Sequence, residues 1–147
     1  MFTPYKGKML YKWAPKKAST ILSEGALVQV VDGYIEIFVI TRQSTSGVVQ
    51  KTVVSTDSDY ASTTLIPYLV PGSPDAEFKA SVLSTDTAVA TDVGNFFDIG
   101  GTPVGIDVTR ASSDDDHFLV TKFFGANSVA GNLNSFKPMK NGIGTAV

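Results

Sequence analysis

One histidine and the three aspartates before it are the residues of this sequence best suited to chemistry. His117 follows Asp114, Asp115 and Asp116 in the stretch SSDDDH. An imidazole beside carboxylates can bind a metal ion or exchange protons. However, three adjacent carboxylates repel one another, and a calcium loop needs spaced ligands with a glycine at its bend. We therefore interpret SSDDDH as a solvated turn.

Other catalytic arrangements have little support in the sequence. Asp57 and Asp59, in STDSDY, have the spacing of a divalent-metal motif, but no glycine-rich loop leads from a strand into a helix to hold a nucleotide. A serine nucleophile needs a base and an orienting group, and no G-x-S-x-G turn occurs. The absence of cysteine excludes disulfides and thiol nucleophiles. We predict that the protein is not an enzyme and has no catalytic, cofactor-binding or metal-binding residues.

The first seventeen residues, MFTPYKGKMLYKWAPKK, differ from the rest of the chain in charge. They hold five lysines, four aromatic residues and no acidic residue. The whole chain has 12 basic and 14 acidic residues and a net charge of −2, which leaves −7 for residues 18–147. Residues 1–20 show no sustained period and contain Pro4, Gly7 and Pro15. This pattern predicts an extended basic arm at 1–20, joined to an acidic body at 21–147.

Three interpretations of the arm remain open. It could lie across an acidic neighbouring subunit, with its rings in pockets and its backbone added to a sheet edge. It could hold single-stranded nucleic acid, or it could be a flexible tail, although such tails are poor in aromatic residues. Its pattern is not that of an amphipathic membrane helix. We favour docking to protein, and the predicted partner-binding residues are Phe2, Tyr5, Lys6, Lys8, Tyr11, Lys12, Trp13, Lys16 and Lys17.

The clearest local structure in the body is a hairpin. In ALVQVVDGYIEIFVIT, two apolar runs flank Asp32 and Gly33. This dipeptide is a strong hairpin signal, because a type I′ turn needs positive φ at both central positions. We expect Ile35, Ile37 and Val39 to lie on the core side of the second strand.

Further strands are predicted along the rest of the chain, which is long enough for one domain with a sizeable core. The apolar runs are VVQKTVV, TTLIPYLV, EFKASVL, NFFDI, VGIDVT and HFLVTKFF. Pro67, inside TTLIPYLV, predicts an edge strand or a bulge. About eight short strands without a helical period indicate an all-β fold, either a single β-sandwich or a small β-barrel of the β-tulip kind, with an extended N-terminal arm. No stretch approaches 18 apolar residues, so we expect no membrane partner.

Part of the sequence resembles small head proteins of tailed bacteriophages. DVGNFFDI, followed by GIDVT and FLVT, is similar to a succession of strands and turns in those proteins, and GALVQVVDGYIEIF is similar to their opening hairpin. The resemblance implies a capsid decoration, or cement, protein, which is a minor capsid protein that binds the outside of the major capsid shell and stabilises it. It also implies the major capsid protein as partner and assembly into dimers or trimers on the capsid. The implied location is the virion surface, reached from the host cytoplasm during assembly.

Two other functions remain open. A nucleic-acid-binding module would use the lysines of the arm for phosphates and the rings of Tyr5, Tyr11 and Trp13 for bases. A receptor-binding or glycan-binding sandwich of a virus tail would need exposed aromatic residues on loops of the body, for which Tyr60 and Tyr68 are the candidates. We rank both below the capsid protein, and nucleic acid is not the partner we expect.

Overall fold

The protein is an antiparallel β-sandwich. The computed structural model describes residues 1–38, 47–100, 104–111 and 118–133. Eleven strands in these ranges form a six-stranded sheet, ordered β1-β7-β11-β10-β8-β9, and a five-stranded sheet, ordered β2-β6-β5-β3-β4, neither of them closed into a barrel. The predicted all-β sandwich is confirmed, the barrel alternative is wrong, and the strands exceed the predicted number.

The strands are short and follow the predicted apolar runs. Their bounds are β1 (Phe2–Lys6), β2 (Met9–Pro15), β3 (Leu27–Val31), β4 (Tyr34–Ile37), β5 (Gly47–Val49), β6 (Leu65–Pro71), β7 (Glu77–Ser81), β8 (Phe96–Gly100), β9 (Gly105–Ala111), β10 (Phe118–Gly125) and β11 (Ser128–Leu133). One 3-10 turn, Ala90–Asp92, precedes β8.

Two apolar clusters stabilise the sandwich. The first lies between the sheets, where Leu27 and Val48 of the five-stranded sheet meet phenylalanines of the six-stranded sheet, such as Phe78. The second lies on the other face of the five-stranded sheet, where Leu22 and Val53 cover it from outside the strands. Both faces of the five-stranded sheet are therefore covered, whereas most two-layer sandwiches leave the outer faces to solvent.

The hairpin of β3 and β4 forms as predicted, and the predicted core side is right for Ile35 but wrong for Ile37. Asp32 and Gly33 have φ of 49° and 85°, and Val31 pairs with Tyr34 across the turn. Ile35 is fully buried, whereas Ile37 is 39% exposed. Phe38, which alternation places on the face opposite Ile35 and Ile37, is 4% exposed and belongs to the cluster between the sheets. Because both faces of this sheet are covered, alternation does not single out one core side. Val39 lies outside the described residues.

Strand β6 lies inside its sheet although it contains a proline. It pairs with β2 from Leu65 to Pro71 without a register shift, so the edge strand or bulge predicted from Pro67 is wrong. The carbonyl of Pro67 points toward the β5 side and accepts a hydrogen bond from the Gln50 N–H at 2.9 Å. Strand β5 ends at Val49. The missing N–H of the proline therefore falls just beyond the end of that strand, where it costs no bond between strands.

The N-terminal residues are part of the body, and the predicted arm at 1–20 is wrong. Strand β1 pairs with β7 in the six-stranded sheet, and β2 pairs with β6 in the five-stranded sheet. Phe2 is 2% exposed, and its ring meets that of Phe118 edge to face, with centroids 6.1 Å apart. The partners of β1 and β2 lie fifty or more residues further along the chain, so no local hairpin signal reveals the pairing.

Candidate binding surface

The structure divides the predicted partner-binding residues into two groups. Phe2 and Lys16 are buried in the protein's own fold, at 2% and 0% exposure, so their assignment to a partner is wrong. The other seven side chains are exposed. They are Tyr5, Lys6, Lys8, Tyr11, Lys12, Trp13 and Lys17.

Lys16 holds a loop instead of a partner. Its Nζ donates to the carbonyl oxygens of Tyr60 and Ser62, both at 2.6 Å, and its main-chain N–H donates to the Thr64 carbonyl at 2.9 Å. The ammonium also lies 5.9 Å from the centroid of the Tyr60 ring. A buried lysine requires such compensation, because an unpaired charge inside a protein is costly. Lys16 therefore fixes the loop that covers the second apolar cluster.

Strand β2 is an edge strand, and its hydrogen bonds show which main-chain groups remain open. The Lys8 carbonyl accepts from the Gly72 N–H at 2.8 Å, and the Lys16 N–H donates to the Thr64 carbonyl at 2.9 Å. Main-chain groups alternate between the two sides of an antiparallel strand. Even-numbered residues of β2 therefore bond to β6, and the N–H and C=O of Tyr11 and Trp13 point away from it. None of the described strands pairs with that side of Met9–Trp13.

The side chains of Tyr11 and Trp13 share one face of β2 and remain exposed, at 66% and 61%. Their cross-strand partners are Leu69 and Pro67. Leu65 lies on the same face of β6 and is 56% exposed. We call the surface formed by Tyr11, Trp13 and Leu65 the aromatic edge. Three exposed aromatic or aliphatic side chains in adjacent positions form a patch of the kind that marks interaction sites.

Exposed lysines lie on the same strand segment as the aromatic edge and just after it. Lys8 and Lys12 project from the opposite face of the same strand segment, and Lys17 follows its end. Lys17 forms an ion pair with Glu36 at 2.7 Å. Neither β2 nor β6 contains an acidic residue. The ribbon of β2 and β6 is therefore cationic in a protein whose net charge is −2.

Tyr5 belongs to a second exposed cluster, on the outer face of the six-stranded sheet. Its ring meets that of Phe124 edge to face, with centroids 5.3 Å apart. Lys122 Nζ donates to the Tyr5 hydroxyl at 3.0 Å, and this hydrogen bond raises the pKa of Lys122. Lys79 Nζ lies 4.8 Å from the centroid of the Phe124 ring. The sequence prediction missed both partners of Tyr5, Phe124 and Lys122, because they lie more than a hundred residues further along the chain.

The aspartates considered for metal binding serve the loop between β5 and β6. Asp57 Oδ2 accepts from the Val54 N–H at 2.9 Å. Asp59 Oδ2 accepts from Lys51 Nζ at 2.8 Å, and this bond lowers the pKa of Asp59. Across the part of the chain that the structure describes, no group of three or more histidine, aspartate or glutamate residues could hold a metal ion. His117 and Asp114 to Asp116 lie outside that part.

The two aromatic residues considered for glycan binding do not form an exposed loop surface. Tyr68 is 8% exposed and belongs to the second apolar cluster, and Tyr60 packs against the same cluster. Tyr60 and Tyr68 therefore contribute to core packing.

The fold and surface were compared with known proteins. No family model, curated protein or solved structure matches the chain. No helix in the described residues has the length and apolar character needed to cross a bilayer.

Proposed function

We propose that this chain is a virion structural protein that binds the outside of a capsid shell as a decoration, or cement, protein. The observation that carries the proposal is the aromatic edge, where Tyr11 and Trp13 are 66% and 61% exposed on an edge strand. The resemblance of DVGNFFDI and GIDVT to phage head proteins supports the choice of partner. The proposed partner is the major capsid protein, and the proposed location is the capsid surface, reached from the host cytoplasm during assembly.

Binding would follow from burial of the rings and from charge. Tryptophan and tyrosine are the side chains most often found at the energetic centre of protein interfaces. Lys8, Lys12 and Lys17 would steer the surface toward acidic regions of the shell and fix its orientation. The acidic remainder of the chain would face solvent and oppose association between particles. No step in this function requires catalysis, a metal ion or a cofactor.

Stabilisation of a shell would come from bridging. A protein that touches two neighbouring capsid subunits turns the second contact into an intramolecular event, so two modest affinities combine into firm attachment. We propose that the chain acts as a dimer or trimer on the capsid, because each copy then presents its own aromatic edge to a different subunit.

The proposal is tested by co-sedimentation with shells assembled from the major capsid protein alone. The variant carries Tyr11→Ser and Trp13→Ser. The matched control carries Tyr34→Ser and Ile37→Ser, which replace exposed residues of β4, the other edge strand of the same sheet. We expect at least about tenfold weaker binding for the variant and unchanged binding for the control. Equal binding by both proteins would reject the aromatic edge as the docking surface.

Nucleic-acid binding is the second candidate function, favoured by the exposed lysines beside Tyr11 and Trp13. Phosphate contacts would make the affinity fall steeply and linearly with salt on logarithmic axes. A filter-binding titration with single-stranded DNA between 50 and about 200 mM salt separates the candidates. If retention of the DNA falls linearly with salt on logarithmic axes and the protein does not bind shells, the second proposal replaces the first.

A further inference from the structure

We propose that the free edge of β2 accepts an extended acidic segment of the partner protein as an additional strand. The inference rests on the proposed docking surface and adds the way in which that surface binds. It concerns the main chain of Met9, Tyr11 and Trp13, whose N–H and C=O groups point away from β6. These groups recur every two residues, about 6.6–6.8 Å apart, which is the repeat that a pairing strand requires.

The edge of β2 is regular, and lysine is its one protective feature. Proteins protect exposed edges with proline, bulges, very short strands and charged side chains, above all lysine. Lys8 and Lys12 would repel a basic strand, but they leave the edge open to an acidic one. Strand β1, an edge of the other sheet, contains Pro4 and a register shift between Pro4 and Lys6. Strand β4, the other edge of the five-stranded sheet, has four residues.

Strand β2 has seven residues and pairs with β6 without a shift. Its open side runs from Met9 to Trp13, because just after Pro15 the chain bridges from Lys16 to Ile35 of β4.

The two faces of β2 define the sequence that would fit. Side chains of an added strand would alternate between the face of Tyr11 and Trp13 and the face of Lys8, Leu10 and Lys12. Directly opposed side chains in an antiparallel pair lie about 4.5–5.5 Å apart, so opposite charges and apolar pairs both contribute. The fitting segment therefore has apolar residues at alternate positions, with two acidic residues spaced four apart on the other face.

The charges favour a different protein over a second copy of this chain. Self-pairing of β2 would place lysines of both copies on one ribbon, since β2 and the residue before it carry Lys8 and Lys12 and no acid. Like charges across a strand pair are destabilising. An acidic partner segment removes this repulsion.

A designed peptide tests the inference on the isolated protein. The probe is an acetylated nine-residue peptide with aspartate at its third and seventh positions, valine at its even positions and threonine elsewhere. Trp13 is the only tryptophan and is 61% exposed, so its fluorescence reports binding directly. We expect the Trp13 emission to shift to the blue and the shift to saturate as peptide is added. The variant with Lys8→Gln and Lys12→Gln should need more peptide to reach the same shift.

A pair of substitutions at Tyr11 separates the main-chain contribution from that of the ring. Tyr11→Ala removes the ring and keeps the outward N–H. Tyr11→Pro removes both the ring and the outward N–H. Strand β2 keeps its hydrogen bonds to β6, because these bonds come from even-numbered residues. We expect the proline variant to bind the peptide at least about tenfold more weakly than the alanine variant, from the lost bond and the obstructed edge. Equal binding by the two variants would overturn the inference.

The peptide itself supplies an independent control. A version with methylated backbone nitrogens at the positions that face β2 has the same side chains and cannot complete the pairing. Wild-type protein should bind the unmodified peptide and not the methylated one, even if Tyr11→Pro fails to fold. Shell binding without peptide binding would leave the proposed function intact and reject strand addition. Absence of both shell binding and peptide binding would reject the proposed function and strand addition together.

Discussion

The ammonium of Lys16 donates a hydrogen bond to the carbonyl of Tyr60, 44 residues further along the chain, at 2.6 Å. A second bond of the same length reaches Ser62. The loop between β5 and β6 is thereby fixed to the end of β2, over the second apolar cluster. A residue that the sequence assigns to a partner interface is in fact a structural element of the fold.

We expect Lys16→Met to destabilise the protein. The substitution keeps the apolar length of the buried side chain but removes two charged hydrogen bonds to the partly buried carbonyls of Tyr60 and Ser62, which should cost about 1–3 kcal/mol. Lys17→Met is the matched control, since Lys17 is exposed and its ion pair with Glu36 should contribute about 0–1 kcal/mol. Urea unfolding of both variants measures the difference, and equal midpoints would contradict the structural role of Lys16.

Gly131→Ala should also destabilise the fold. A Cβ at this position of β11 would lie 2.6 Å from the Phe118 ring and closer still to the Leu119 carbonyl oxygen, so the backbones of β10 and β11 would have to separate. Overpacking of this kind costs about 1–3 kcal/mol. Gly125→Ala, at the end of β10, meets nothing within 4 Å and should change the free energy of unfolding by about 0.5 kcal/mol or less. Thermal melts of the two variants should differ accordingly.

The hairpin and the N-terminal strands β1 and β2 show what the sequence could and could not predict about the fold. Asp32 and Gly33 were identified correctly because a type I′ turn depends on residues adjacent in the chain. The pairing of β2 with β6 was missed because it depends on contacts between distant segments. Pro67 misled the prediction for a related reason, since its effect depends on where the neighbouring strand β5 ends.

Tyr68 should make the protein sensitive to alkali. Burial raises the pKa of the Tyr68 hydroxyl above its ordinary value of 10.0. A group with a raised pKa contributes stability that is complete below the unfolded pKa and is lost as the pH rises through the folded pKa. The free energy of unfolding should therefore fall above about pH 10, and Tyr68→Phe should reduce that fall. Urea titrations between neutral pH and about pH 11 provide the measurement, and identical profiles for the two proteins would contradict the assignment.

Asp59 should act at the opposite end of the pH scale. The hydrogen bond from Lys51 lowers the pKa of Asp59 below its ordinary value of 3.8. A carboxyl whose pKa is lower in the folded than in the unfolded protein stabilises the fold at pH values above its unfolded pKa. This stabilisation is lost as the pH falls through the folded pKa. Asp59→Asn should therefore lower the melting temperature slightly at pH 7 and show a smaller loss than wild type below about pH 4. Parallel curves for the two proteins would show that the pair with Lys51 does not stabilise the fold.

Part of the candidate surface could be predicted from the sequence. Charge and aromatic content are local properties, so the sequence shows that lysines and rings gather around Tyr11 and Trp13, and the structure leaves both side chains exposed. That these residues bind a partner stays a prediction. Burial of Phe2 and Lys16 could not be predicted, since it depends on Phe118 and on a loop far along the chain. The same holds for Leu65, which joins the aromatic edge only through its strand pairing.

The connection between β1 and β2 has a consequence for synthesis. The two strands are consecutive, yet each enters a different sheet, and their partners β7 and β6 end at Ser81 and Pro71. On a ribosome that adds about 5–20 residues per second, the first seventeen residues would wait about 3–13 s for a strand to pair with. During that interval the nascent chain exposes Phe2, Tyr11 and Trp13 together, because β6 and β7 have not yet been synthesised.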